Sequence, residues 1–243
     1  MKAVILAAGI ASRLRPLTDH KPKCLLEIGN KCLLERAIDG LLANGLNDIV
    51  IVTGYLQEQI TTFVSGRYPD LKVEYIYNEK YASTNNIYSL WMAGPSIKEN
   101  DVLLLDSDIL FDPALVKAVL ASAYANSLAL NAHPLGEEEI KVIPDARGKV
   151  LEISKTCDIS KAIGESIGIE KMSRQYIRHL YDELDRLILN EGKVNVFYEV
   201  AFERLIAQGQ TFEIVDTTNY FSMELDTVED FQQAIRYIPE NLL

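Results

Sequence analysis

The rhythm of the first half most constrains how this chain folds. Short apolar runs at 3–6, 48–53, 72–77, 101–105 and 127–131 alternate with segments of helical spacing. Brief strands of that kind, lacking a polar face and separated by helices, predict a parallel sheet covered on both sides. Leu33, Leu34, Ala37, Ile38, Leu41 and Leu42 recur at helical spacing, and Asn44-Gly45 closes that helix. Further helices are expected over 57–65 and 85–93, and from Pro113, at its favoured first position, to about residue 125. After His133 the rhythm changes. Segments 139–143 and 149–154 flank Asp145-Ala146-Arg147-Gly148 as a hairpin would. Segments 173–190 and 197–208 read as helices, the first with an apolar stripe including Tyr176, Leu180 and Leu184, which is expected to face the core. Strands follow over 211–216 and 220–225, then a closing helix over 228–237. The expected fold is α/β, a mostly parallel Rossmann-like sheet with helices on both faces and a smaller hairpin and helical portion. With no repeat, low-complexity tract or linker, residues 1–243 are read as one domain.

Composition narrows the partners. A chain of 243 residues with 48% hydrophobic content can bury one substantial core. A net charge of −11, with no run of lysines and arginines, argues against nucleic acid. Any phosphate ligand must therefore be met by local cations. Cys24, Cys32 and Cys157 are odd in number and lack metal-ligand spacing, which points to reduced thiols and core packing. Strand one follows Met1-Lys2 directly, leaving no signal peptide, and no apolar run reaches the length of a membrane span. A cytoplasmic location is expected, and the oligomeric state stays open.

Three segments carry chemistry. The first strand runs into Ala7-Ala8-Gly9, small residues that let a ligand approach the backbone amides. Arg13 and Lys23 add fixed positive charge. No Gly-Lys-Ser/Thr follows the glycine, and two of the three dinucleotide-fingerprint glycines are missing, so neither of those phosphate loops is present. Asp106-Ser107-Asp108 leaves the end of a buried strand, at the sheet edge where ligands of open α/β folds bind. Such carboxylates suit Mg²⁺, although one of the pair could instead cap the loop or the next helix. Glu224 and Asp226 repeat the pattern, though taken alone Asp226 reads better as the N-cap of the last helix. Asn85 and Asn86 begin a helix, with Ser89 one turn on, and suit either capping or a ligand. His20, His133 and His179 form no motif, and no Ser-His-Asp set or reactive cysteine is evident.

Together these segments resemble a known family. Leu6-Ala7-Ala8-Gly9, Arg13-Leu14, Pro16-Leu17-Thr18 and Pro22-Lys23 look like the opening signature of nucleotidyltransferases that join a nucleoside triphosphate to a sugar phosphate or another small phosphorylated compound. The resemblance continues through Thr84–Leu90, Asp106-Ser107-Asp108, Gly164–Gly168, Tyr198-Glu199 and Met223–Asp226, and is greatest to small cytidylyltransferases for phosphocholine or 2-aminoethylphosphonate. One departure is Ala11, where many members carry a second glycine and where alanine resists a positive φ.

The resemblance implies an Mg²⁺-dependent enzyme whose partners are CTP and a small phosphorylated or phosphonylated amine. It implies that Arg13 and Lys23 serve catalysis, while Leu6, Ala7, Ala8, Gly9, Asn85, Asn86, Ser89 and Asp106 hold the nucleotide. Asp108 and Asp226 are the implied Mg²⁺ ligands. Glu224 is either a third ligand or an acceptor contact. Lys155 would hold the acceptor phosphate. Glu165, Tyr198, Glu199 and Glu224 would receive its other end, since an amine needs carboxylates and a quaternary ammonium prefers aromatic faces. For Tyr198 and Glu199 an ordinary first turn of a helix is the alternative. Residues 1–133 would mainly bind nucleotide and 134–243 mainly acceptor. A sugar-1-phosphate nucleotidyltransferase using another triphosphate, and a non-catalytic nucleotide-sensing subunit, are the competing functions.

Overall fold

Strand β1 (Lys2–Ala7) is buried along almost its whole length, and its alternation divides the molecule into two cores. Val4 and Leu6 face one apolar cluster, while Ala3, Ile5 and Ala7 face another. The computed structural model describes residues 1–243. After β1 come a small hairpin of β2 (Glu27–Ile28) and β3 (Lys31–Cys32), then α1 (Leu33–Ala43). β4 (Ile49–Thr53), α2 (Gln57–Arg67) and β5 (Val73–Tyr77) follow, then the short helices α3 (Asn86–Met92) and α4 (Gly94–Ile97). β6 (Val102–Asp106) and β7 (Ile109–Phe111) precede α5 (Pro113–Ala121) and β8 (Ser127–Asn131).

In the second half, β9 (Lys141–Pro144) and β10 (Val150–Ser154) form the expected antiparallel hairpin. β11 (Gly164–Met172) leads to α6 (Arg174–Asp185), which ends in a π-helical turn over Arg186–Asn190. α7 (Glu199–Ala207), β12 (Glu213–Asp216), β13 (Ser222–Glu224) and α8 (Val228–Tyr237) complete the chain before a terminal 3₁₀ turn.

The parallel heart of the sheet has the order β6-β1-β4-β5, with Leu6 paired to Val52 on one side and Asp106 on the other. The expected α/β architecture is thus present, with α3, α6 and α7 over one face and α1, α2 and α5 over the other. The sequence reading assigned no strand to 164–172. β11 nevertheless runs antiparallel against β6, β8 and β9, and joins the two halves into one sheet. Other bounds differ by a few residues: α5 stops at Ala121, short of residue 125, and β13 is confined to Ser222–Glu224, while Thr227 rather than Asp226 caps α8. Thr227 and Asp230 form a reciprocal capping box, which releases the Asp226 side chain for other contacts.

Candidate active site

The β1 and β6 carboxyl ends open into one cavity, and its wall is built by segments far apart in sequence. Leu6, Ala7, Ala8 and Gly9 line it, followed by Ala11 and Arg13. Ala11 does adopt the left-handed conformation, with φ 50°, at the entry to the 3₁₀ turn Ser12–Leu14. Thr18 Oγ1 donates to the Ala11 carbonyl at 2.9 Å and fixes this conformation despite its intrinsic cost. Lys23 begins a second 3₁₀ turn and is largely buried.

Three carboxylates gather opposite that ammonium. Ligand oxygens of Asp108, Glu224 and Asp226 lie within 4.8 Å of one another. The antiparallel pairing of β7 with β13 causes this: Glu224 is in register with Ile109, and the Leu225 N–H donates to the Asp108 carbonyl at 3.1 Å. Lys23 Nζ sits 3.0 Å from Asp108 Oδ2 and 2.7 Å from Asp226 Oδ1. Burial disfavours the Lys23 charge, but the two aspartates outweigh it and raise the lysine pKa. Asp226 shifts down because Lys23 and Arg13 outweigh its own partial burial. Burial, then Asp108 and Asp226, push the Glu224 carboxyl up to about 8. Arg13 also pairs with Asp226 and reaches Glu138 at 3.4 Å. The donor set is oxygen only, dense in negative charge and free of soft ligands, which fits Mg²⁺.

Asn85 caps α3 by accepting from the Asn86 N–H at 2.7 Å, and Asn86 Oδ1 accepts from the Tyr198 N–H at 2.9 Å. Capping and cavity lining therefore coexist at these residues. Ser89 lines the cavity too, accepting from Asn78 Nδ2 at 3.1 Å. Asp106 lines it from the end of β6, its carboxyl raised well above the usual range by burial and by Asp108, Glu170 and Glu199. Gly168, with φ +69°, lets Asp106 stand there, since a Cβ at this glycine would lie 2.6 Å from Asp106 Oδ2.

Lys155 and Glu199 also line the cavity. Lys155 Nζ lies 3.3 Å from Glu138 and 4.9 Å from the centroid of the Phe197 ring. Two expected acceptor contacts fall elsewhere. Tyr198 is fully buried and packs on Phe202 with centroids 5.2 Å apart, while its hydroxyl donates to Asp106 Oδ2 at 2.9 Å. It touches the cavity wall from behind, through Asp106 and Asn86, and does not line the cavity itself. Glu165 is engaged by His133 Nε2 at 2.8 Å and does not line the wall. Among residues the sequence reading missed, Glu138 bridges Arg13 and Lys155, and Glu170 is buried behind the wall. A Glu137-Glu138-Glu139 run resembles any solvated acidic stretch, and nothing local marks Glu138 out.

Residues 3–188 match a family model described as the MobA-like NTP transferase domain. The chain is 26% identical over 252 residues to a CMP-5'-(3-aminopropyl)phosphonate synthase of Streptomyces rubellomurinus, a match covering 98% of this chain and 39% of that protein. It is 38% identical over 127 residues to a choline-phosphate cytidylyltransferase of Streptococcus pneumoniae, covering 51% of this chain and 54% of that one. The chain thus matches about half or less of the length of these two curated relatives. Among solved structures, a CTP:phosphocholine cytidylyltransferase from Streptococcus pneumoniae matches with a TM-score of 0.81 at 25% identity, over 98% of this chain and 99% of that one. No helix of the chain is long and apolar enough to cross a membrane.

Proposed function

The chain belongs to the MobA-like NTP transferase domain family, and from that premise we propose that it transfers CMP from CTP to a small phosphorylated or phosphonylated amine, releasing pyrophosphate. One observation carries the proposal. A small-residue backbone loop, two cations and three mutually close carboxylates meet in a single cavity that also contains Lys155 and Glu199. The choice of CTP follows relatives and a structural neighbour named for cytidylyl transfer. The choice of an amine rests on Glu199, a buried acidic side chain on the cavity wall whose Oε2 has no hydrogen-bond partner within the protein.

In this reaction an anionic oxygen of the acceptor attacks the α-phosphorus of CTP. A new P–O bond forms as the bond to the β-phosphate oxygen breaks, and that electron pair leaves with pyrophosphate. The nucleophile arrives deprotonated, so no general base is required. The barrier lies in bringing two anions together and in charge building on the leaving group, and both respond to fixed cations and alignment. The amides of Ala7–Gly9 and the Arg13 guanidinium receive the triphosphate, Lys23 neutralises charge at the reacting phosphates, and Lys155 orients the acceptor. Asp108 and Asp226, with Glu224, would hold Mg²⁺, which supplies Lewis-acid charge neutralisation when bound. Residues 1–133 then mainly serve the nucleotide and 134–243 mainly the acceptor.

A panel of CTP, UTP, dTTP and GTP against phosphocholine, phosphoethanolamine, 2-aminoethylphosphonate and a sugar 1-phosphate, with pyrophosphate release as readout, tests this. The expected result is turnover with CTP and an amine-bearing acceptor. Turnover confined to a sugar 1-phosphate would replace the proposal, and none with any pair would favour a sensing role.

A further inference from the structure

One carboxylate touches cations from both halves of the cavity. Glu138 Oε2 lies 3.4 Å from Arg13 Nη1 and 3.3 Å from Lys155 Nζ. A single oxygen therefore serves the cation assigned to the triphosphate and the cation assigned to the acceptor phosphate. Lys155, then Arg13, hold the Glu138 carboxyl below the usual carboxylate range, so it is anionic at neutral pH. Its side chain is 74% exposed and can turn into water, and exposed ion pairs of this kind are each weak. A weakly held internal anion on two phosphate-binding cations is one that a phosphate can displace.

The backbone around Glu138 is built to present that side chain. Lys141, at the start of β9, is only 3% exposed. Its ammonium donates to the Glu137 carbonyl at 3.2 Å, the Glu139 carbonyl at 3.2 Å and the Lys155 carbonyl at 2.8 Å. Three donors thus meet three acceptors, and the carbonyls on either side of Glu138 converge on one buried point. The Gly136 N–H donates to Glu139 Oε2 at 2.8 Å and ties the same segment. Displacing the Glu138 carboxylate leaves both cations in place, because Asp226 still holds Arg13, while Lys141 and the Phe197 ring still hold Lys155.

Resting on the proposed roles of Arg13 and Lys155, we infer that Glu138 is a placeholder anion that couples the binding of the two substrates. Whichever phosphate arrives first displaces it from both cations and bears the whole cost. The second then finds its cation free. Each substrate thus raises the affinity for the other by the factor that Glu138 costs either one alone. Fixed negative charge elsewhere on the rim would weaken both substrates without linking them.

The test is calorimetric titration with α,β-methylene-CTP, whose bond to the leaving group does not break, and with phosphoethanolamine, each alone and at saturation of the other. It compares the wild-type protein with Glu138→Gln and with Glu137→Gln, which removes an equal charge from the neighbouring exposed residue. Glu138→Gln is expected to bind either ligand alone about twofold to fivefold more tightly than the wild-type protein, and equally well once the other ligand is saturating. Glu137→Gln is expected to leave both affinities near the wild-type values. An unchanged or weaker affinity of Glu138→Gln for the nucleotide alone overturns the inference. So does a gain that persists at saturation of the other ligand, or that Glu137→Gln reproduces, since either marks simple charge repulsion. Pyrophosphate release from CTP is read separately. Its absence, with the binding pattern as expected, would overturn the transfer reaction and support the placeholder.

Discussion

Lys23 shows how one side chain can depend on two distant segments. Its ammonium rests between Asp108 and Asp226, 85 and 203 residues away, and both contacts are made in a nearly buried setting. Charge so placed matters most where negative charge accumulates during reaction. Lys23→Ala is therefore expected to lower kcat more than it weakens CTP binding, checked by steady-state kinetics beside CTP titration. A raised KM with unchanged kcat would assign the lysine to ground-state binding. Asp108→Asn and Asp226→Asn keep volume but each remove one negative charge from the carboxylate group. Each is expected to lose most turnover and to bind Mn²⁺ more weakly in a paramagnetic titration, with the fold intact by circular dichroism. These residues were legible through short motifs, the aspartates at strand ends and Lys23 in Pro22-Lys23, whose roles the family resemblance supplied. Glu138 and Glu170 were not: one acquires its partners only when the loop before β9 meets Arg13 and Lys155, the other only when β11 enters the sheet.

The element least legible in the sequence is β11. Its residues, Gly-Glu-Ser-Ile-Gly-Ile-Glu-Lys-Met, mix charge and glycine and suggest a loop, whereas β1, β4 and β6 announce themselves as apolar runs. β11 becomes a strand because β6, β8 and β9 together satisfy its backbone, a tertiary cause that local propensity does not contain. The cost of its composition falls on Gly168, where the register between β11 and β8 shifts between Ser166 and Glu170. A side chain there faces both a positive φ and a Cβ 2.6 Å from Asp106 Oδ2. Gly168→Ala is expected to destabilise the fold by at least about 1–2 kcal/mol, the left-handed penalty alone. It should also displace Asp106 and weaken CTP binding. Urea denaturation and CTP titration check the two effects, and an unchanged urea midpoint would show that the bend in β11 relaxes without strain.

At the scale of the whole molecule, the buried acidic cluster sets a stability gradient with pH. Burial pushes the Glu170 carboxyl up to about 8, with Glu199 adding to the shift, and burial pushes Glu199 up to about 7. Tyr198, Ser166 and Asp106 surround the pair, and Lys155 is the cation acting on Glu199. Between an unfolded carboxyl value of 4.5 and these folded values, the native state holds protons that the unfolded chain has released. Unfolding then releases protons, so this contribution to stability is full below the unfolded value and is lost as pH rises through about 7 to 8. For each group the gradient approaches about 1.4 kcal/mol per pH unit. Replacing Glu170 by Gln removes one titrating group while keeping the shape of the side chain. Urea denaturation from about pH 6 to about pH 8 should therefore show stability falling less steeply in Glu170→Gln than in the wild-type protein. Identical pH slopes in the two proteins would mean that Glu170 is ionised throughout this range, and that the fold or its water meets the charge.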